Sequence, residues 1–446
     1  MQTKYTYKQI WLIAYPILIS LLMEQMIGMT DTAFLGRVGE VELGASAIAG
    51  VFYMVIFMVA FGFSIGAQIL IARRNGERQY KEIGDLFYQG IYFQVGMATV
   101  MFLLSYCFSP IILKRIVASE HIYEAATSYL HWRVFGAFFS FSAVMFRAFF
   151  LGTTQTKTLT LNSIVMVLSN VVFNYILIFG KFGFPELGVE GAAISTAFSR
   201  GVSMVILFII LFRKHIHRFP LAYFRPFPWI ELRNLMKVGL PSAGEQLSYS
   251  SSQVLITFFI NMLGVEALAT RTYCVNIIMF VYLFSISTAQ GGAICIGHLI
   301  GEKKPRAAFL LGKYVMKKSV MITFILSCIL AVFGHTILSW LTVNPDIIRM
   351  GVIVLIIDTV LEIGRPINIF ATNALRAAGD VNYPFYVGLI VMWSVAVGGG
   401  YLFGVHWAWG LCGMWVAFLL DENIRGIIFV RRWYSMKWVH KSFVQA

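Results

Sequence analysis

The length of the apolar runs is what most constrains this chain. The stretch LFYQGIYFQVGMATVMFLLSYCF (86–108) passes 23 residues without a charge. At about 1.5 Å per residue, such a helix crosses the roughly 30 Å hydrocarbon layer of a bilayer. Runs of this kind recur about twelve times, near 10–35, 44–72, 86–108, 122–150, 158–180, 187–212, 235–262, 267–297, 312–334, 346–375, 383–405 and 408–430. Hydrophobic residues make up 59% of the 446 and charged residues 13%, with a mean hydropathy of +0.76. A soluble domain carries roughly a quarter charged residues, so one water-facing core cannot hide this much apolar surface. Only helices and closed barrels span a bilayer. A barrel would show alternating segments of about ten residues. The fold class is therefore an all-α polytopic membrane protein. The first run, starting near Ile10, is too long for a signal peptide and reads as the first span.

The net charge of +14 invites a nucleic-acid reading, and the placement of the charges argues against it. Basic residues occupy alternate connections: Lys4 and Lys8; Arg73, Arg74, Arg78 and Lys81; Arg213, Lys214, Arg218 and Arg225; Lys303, Lys304 and Arg306; Arg431, Arg432, Lys437 and Lys441. This positive-inside pattern puts both termini in the cytoplasm and the protein in the cytoplasmic (inner) membrane. The five cysteines lie scattered in apolar runs, with no CxxC pair and no Cys/His ligand spacing. Neither a disulfide framework nor a structural metal is expected. No cofactor is expected, and the chain is read as a monomer with membrane lipid around it.

A shift of 225 residues lays one half of the chain on the other. Pro16 meets Pro241, Gly39 meets Gly264 and Gly66 meets Gly291. Gly76-Glu77-Arg78 meets Gly301-Glu302-Lys303, and LGTTQTKTL (151–159) faces RAAGDVNYP (376–384). With a three-residue slip, LGVEGAA (187–193) meets WGLCGMW (409–415). The expected organisation is two pseudo-symmetric bundles of six helices: an amino-terminal lobe at 1–212, a basic cytoplasmic linker at 213–234 and a carboxy-terminal lobe at 235–446. Parallel repeats of this kind are a transporter architecture, with substrate handled between the halves.

Ionisable residues inside the spans are costly and mark function by default. The repeat supplies a control for each. Asp31 stands opposite Ile256, Glu24 opposite Tyr249, Glu245 opposite Ser20 and Arg365 opposite Ser140. These charges were placed half by half. Asn170 and Asn174 share a helix face one turn apart, and Thr196 adds a hydroxyl from the next span. With Asp31 they form an oxygen-rich set that can ligate Na⁺, at Asp31, Asn170 and Asn174, or hydrogen-bond a carboxyl that exchanges a proton. In the second half Asp358, Glu362 and Arg365 share one helix face, and Glu362–Arg365 is a candidate pair within the helix. Glu245 is more isolated, with Arg365 as its expected partner, and Asp421 and Arg425 form another i, i+4 pair. Arg133, Arg147 and Arg200 are placed at cytoplasmic or interfacial depth and given no role. Pro16 and Pro241 are expected to kink the first and seventh spans. Glu24, Glu245, Glu362 and Arg365 are the candidates for substrate contact or secondary coupling.

YPILISLLMEQMIGMTDTAFLGRVG (15–39), NVVFNYILIFG (170–180), LGVEGAAIST (187–196) and NALRAAGD (373–380), in this order, resemble the multidrug and toxic compound extrusion (MATE) family. The resemblance covers nearly the whole chain. It implies export of amphipathic, often cationic, organic compounds in exchange for H⁺ or Na⁺, with an ion site on Asp31, Asn170, Asn174 and Thr196. Some relatives have an aspartate where this chain has Asn174. One branch carries acids on helices seven and ten, where this chain has Tyr249 and Arg365. The alternative within transport is a flippase for a lipid-linked or polysaccharide precursor, which favours a large cationic cavity. A membrane enzyme is disfavoured, since no DDxxD-like or HxxxxD-like cluster is present.

Overall fold

The computed structural model describes residues 7–117, 119–215 and 229–441. Lys4 and most of the expected linker, including Arg218 and Arg225, lie outside the described residues. The described chain is helical apart from its connections. The first half runs α1 (Tyr7–Val38), α2 (Glu40–Gly76), α3 (Tyr80–Ile116), α4 (Glu120–Phe135), α5 (Ala137–Gly152), α6 (Thr156–Ile178) and α7 (Gly188–His215). The second runs α8 (Trp229–Met262), α9 (Val265–Gly301), α10 (Pro305–Val332), α11 (Gly334–Leu341), α12 (Pro345–Ala377), α13 (Asn382–Val391) and α14 (Gly410–Tyr434). Two π-helical stretches, Met392–Gly398 and Tyr401–His406, carry α13 onward to His406.

Among the described residues, eight helical segments are long and apolar enough to cross a membrane, or nine if α4 and α5, bent by 44°, count as one. The helices α8, α12 and α14, of 34, 33 and 25 residues, complete a twelve-span layout. The last two are more polar because they carry the buried charges of the second half. The fold is the all-α polytopic class, with about twelve spans.

The repeat is visible as duplicated turns. Arg78 and Lys303 both close a helix at positive φ, 61° and 58°. Their backbones bond alike: Gln79 N to Arg74 O at 3.0 Å, and Lys304 N to Leu299 O at 2.8 Å. Thr154 and Gly379 repeat the device, at φ 61° and 104°. Gln155 N there bonds Phe150 O at 2.7 Å, and Asp380 N bonds Leu375 O at 2.9 Å. Each turn satisfies carbonyls at a helix end that would otherwise lack a donor.

The chain forms two compact units. One is Ile19–Ala243; the other is Met1–Leu18 with Gly244–Ala446. These units differ from the sequence halves at both proline-bearing helices. The first residues of α1 belong with the second-half helices, and the start of α8 belongs with the first-half helices. Each boundary falls two residues after the proline, Pro16 or Pro241, and α1 and α8 run on helically through both. Small residues explain the exchange. In the Ile19–Ala243 unit, a Cβ on Gly66 would lie 2.7 Å from Gly239 N, and one on Gly62 would strike Ala243. Thus α2 offers Gly62 and Gly66, one turn apart, to Gly239 and Ala243 of α8. In the other unit, Gly291 of α9 meets Ala14 of α1, where a Cβ would lie 3.1 Å from Ala14 Cβ. Gly66 and Gly291 are repeat partners, as are Ala14 and Gly239. In lipid, where apolar association gains little from water, such close backbone approach is a main source of helix affinity.

Candidate functional site

In the Ile19–Ala243 unit, α1, α6 and α7 bring the expected polar set together. Asp31 is 8% exposed, Thr196 1%, and Asn170 and Asn174 are fully buried. Asn174 Nδ2 donates to Asp31 Oδ1 at 2.7 Å and lies 3.2 Å from Asn170 Oδ1. Asn170 Nδ2 donates to Thr196 Oγ1 at 3.3 Å, and Ser195 Oγ donates to the Asn170 carbonyl at 3.2 Å. The Thr196 hydroxyl stands 3.1 Å from both Asp31 Oδ2 and its own helix's Ala192 O, with one proton for the two. Asn174 Oδ1 is buried and accepts from no protein donor among the described residues.

Local sequence builds this geometry. The i, i+4 spacing puts Asn170 and Asn174 on one face of α6. The link to α7 turns through Gly180, at φ 61°, and Leu187 N bonds back to Leu177 O at 3.0 Å. Gly191 sits where a Cβ would meet Leu177 O at 2.7 Å, so α7 approaches α6 closely enough for Thr196 to reach Asn170. On α1, Thr30 and Thr32 bond to their own helix carbonyls at 2.7 and 2.9 Å, while Asp31 turns inward. A buried carboxylate held by an amide and a hydroxyl, both neutral, keeps its charge available for a cation. Toward Asp31, Asn174 presents its amide nitrogen and Thr196 its hydroxyl.

The three arginines that the sequence left without a role share one helix as their neighbour. They lie over rings in the middle of α2. Arg133 of α4 stands over Tyr53 at 4.8 Å, Arg200 of α7 over Phe57 at 5.4 Å and Arg147 of α5 over Phe61 at 5.8 Å. Arg147 also pairs with Glu24 at 3.1 Å, which fixes that candidate in an ion pair.

In the other unit, the expected Glu245–Arg365 pair is not formed. Glu245 of α8 pairs with Arg376, at the end of α12. Arg365 instead binds its own helix, pairing with Glu362 and with Asp358 at 3.2 Å. An i, i+3 or i, i+7 neighbour is within reach of a guanidinium at no cost in helix rotation, whereas a partner on α8 depends on how that helix is turned. Trp415 Nε1 reaches Asp358 at 3.4 Å, and Asn368 Nδ2 donates to Glu422 Oε2 at 2.6 Å. Arg425 pairs with Asp421 and, at 3.4 Å, with Glu422. The result is a buried cluster of four carboxylates and two guanidiniums spanning α12 and α14. Glu422 and Arg376 were not singled out from sequence. The slip that sets Gly188 opposite Gly410 also sets Arg200 opposite Glu422, both 222 residues on, and was the available signal.

Comparison with known proteins agrees with this architecture. The sequence profile of the MatE family matches residues 16–176 and 241–402, one match in each half. A Bacillus subtilis protein named uncharacterized transporter YisQ is 32% identical over 437 residues, covering 96% of this chain and 94% of its own. A Mannheimia succiniciproducens protein named probable multidrug resistance protein NorM is 24% identical over 439 residues, covering 96% and 94%. A solved structure described as the outward-facing conformation of a multidrug resistance MATE family transporter of the MOP superfamily superposes with a TM-score of 0.88 at 20% identity, covering 96% of each chain. The twofold helical repeat, the duplicated turns and the two-part family match make this chain a member of the MATE family of multi-pass membrane transporters, and a transporter rather than an enzyme.

Proposed function

We propose that this transporter is an ion-coupled antiporter that exports amphipathic, often cationic, organic compounds from the cytoplasm, exchanging them for H⁺ or Na⁺ at Asp31. Relatives named as multidrug resistance proteins support the export reading. The observation that carries the coupling is the pair of neutral donors, Asn174 and Thr196, on the two oxygens of one buried carboxylate. With Asp31 ionised, the Thr196 proton goes to Oδ2. With a proton on Asp31, the carboxyl itself donates, and the Thr196 hydroxyl turns to Ala192 O, already 3.1 Å away. Asn174 Nδ2 goes on donating to Oδ1, which remains an acceptor when the proton sits on Oδ2. Changing the charge on Asp31 thus rewrites the contact that ties α1 to α7. On this reading the protein works in the cytoplasmic membrane with both termini inside, as a monomer of two six-helix lobes.

Purified protein in liposomes tests this, with H⁺ and Na⁺ gradients imposed separately and efflux of an amphipathic dye recorded. Gradient-dependent efflux that is lost in Asp31→Asn supports the reading. Unchanged coupling in that variant removes Asp31 from the mechanism. A second reading, movement of a lipid-linked precursor, draws on the three arginines over α2, which make that interior more basic than the sequence implied. Transfer of a labelled lipid-linked precursor without dye efflux would favour it.

A further inference from the structure

Along α2, Tyr53, Phe57 and Phe61 recur every fourth residue and stack on one another. Ring centroids are 6.3 and 6.1 Å apart, with interplanar angles of 19° and 28°. Each ring carries a guanidinium from a different helix, Arg133, Arg200 and Arg147 in turn. The whole ladder lies within the Ile19–Ala243 unit.

Its charges are unevenly matched. Arg147 has Glu24. Neither Arg133 nor Arg200 has a carboxylate within ion-pair distance among the described residues. Arg133 Nε and Nη1 and Arg200 Nε are buried N–H groups with no protein acceptor among the described residues. Asp31 acts on Arg133 through space, but its oxygens are taken by Asn174 and Thr196. Buried guanidinium donors without acceptors are costly and suit a ligand that supplies the acceptor. The repeat shows that the fold does not require this polarity: Arg133 stands opposite Asp358, and Arg200 opposite Glu422.

The geometry points to a binding ladder for aromatic organic anions, with Arg133 and Arg200 receiving the anionic group. A guanidinium stacked on one ring offers its outer face to a second ring and its edge N–H groups to a carboxylate or sulfonate. An aromatic anion meets both demands, while a simple cation meets neither. This rests on the export reading and, for this chain, puts aromatic anions in the place of the cations named there.

Isothermal titration of the purified full-length protein with 2-naphthoate tests the proposal, using 2-naphthalenemethanol as the neutral match and 2-naphthylmethylammonium as the cation. The expected order is naphthoate at least about tenfold tighter than the alcohol. Arg200→Gln and Arg133→Gln should each weaken naphthoate by about tenfold while leaving the alcohol unchanged. Arg200→Lys, which keeps the charge on the fold, should weaken it only a few-fold, because the planar stacking fork is lost. Phe57→Leu should weaken both compounds. Equal affinity for naphthoate and the alcohol, tighter binding of the ammonium, or naphthoate affinity unaltered in both glutamine variants would overturn the proposal. So would loss of the naphthoate heat on adding phosphatidylglycerol at a concentration below the naphthoate Kd, which would assign the arginines to a lipid headgroup. The titration needs no ion gradient, so a failure of coupling at Asp31 leaves it readable.

Discussion

Asn174 Nδ2 donates to Asp31 Oδ1 at 2.7 Å across 143 residues of chain, and neither side chain is more than 8% exposed. The pair ties the carboxy-terminal part of α1 to α6. It also separates two effects that mutation can resolve. Asp31→Asn keeps size and hydrogen-bonding capacity, so the melting temperature in detergent should change little while gradient-driven efflux is lost. Asn174→Ala leaves Asp31 Oδ1 buried without its donor, at a cost of about 1–3 kcal/mol. It should therefore lower both the melting temperature and the efflux.

The close approach of α2 to α8 predicts a graded response to added carbon. At Gly66 a Cβ meets backbone atoms of Gly239 at 2.7 and 2.8 Å, which cannot turn aside. At Gly291 it meets Ala14 at 3.1 Å or beyond. Gly66→Ala should destabilise by about 1–3 kcal/mol, as overpacking does, and Gly291→Ala by less. Thermal melts of the two variants side by side read the order.

The duplicated turns predict opposite signs at equivalent positions. Thr154 holds φ 61° with a β-branched side chain, and Gly379 holds φ 104°. Thr154→Gly should stabilise or be neutral, since a left-handed conformation costs an L-residue about 1–2 kcal/mol. Gly379→Ala should destabilise by a similar amount, the more so because its Cβ would meet Lys441 O at 2.9 Å. Melting temperatures that move in the same direction would contradict the turn argument.

Arg365 is the cation for two carboxylates, Asp358 at 2% exposure and Glu362 at 0%. Arg365→Met should destabilise by about 3–5 kcal/mol, because it strands buried charge. The triple variant with Asp358→Asn and Glu362→Gln should recover most of the loss. Denaturation of the wild type, Arg365→Met, the Asp358→Asn/Glu362→Gln double variant and the triple variant in mixed micelles measures the coupling, and an additive result would show that the cluster is not a unit.

Much of this was legible in sequence wherever the cause is local. The apolar runs set the helices because lipid offers no partner for backbone polar groups. The four-residue spacing of Asn170 and Asn174 is enough to put two of the site's side chains on one helix face. Glu362 and Arg365 found each other for the same reason, three residues apart on one helix. Gly76-Glu77-Arg78 and its copy proved to be the same turn, because a helix end must satisfy its own carbonyls wherever it occurs.

What lay beyond the sequence was the relation between helices. The 3.6-residue period fixes which residues share a face and leaves open which neighbour that face meets. Glu245 therefore pairs with Arg376 rather than Arg365, and Arg133, to which sequence assigned no role, stands over Tyr53 within the field of Asp31. The allegiance of the first turns of α1 and α8 was equally hidden, since it depends on Gly66 meeting Gly239 and Gly291 meeting Ala14 across long stretches of chain. Sequence alone determined that this is a duplicated bundle of membrane helices with a carboxylate, Asp31, inside its first span. Only tertiary packing decided which groups hold that carboxylate and where the arginines stand, because helix rotation and close approach are set by side-chain fit between segments far apart in the chain.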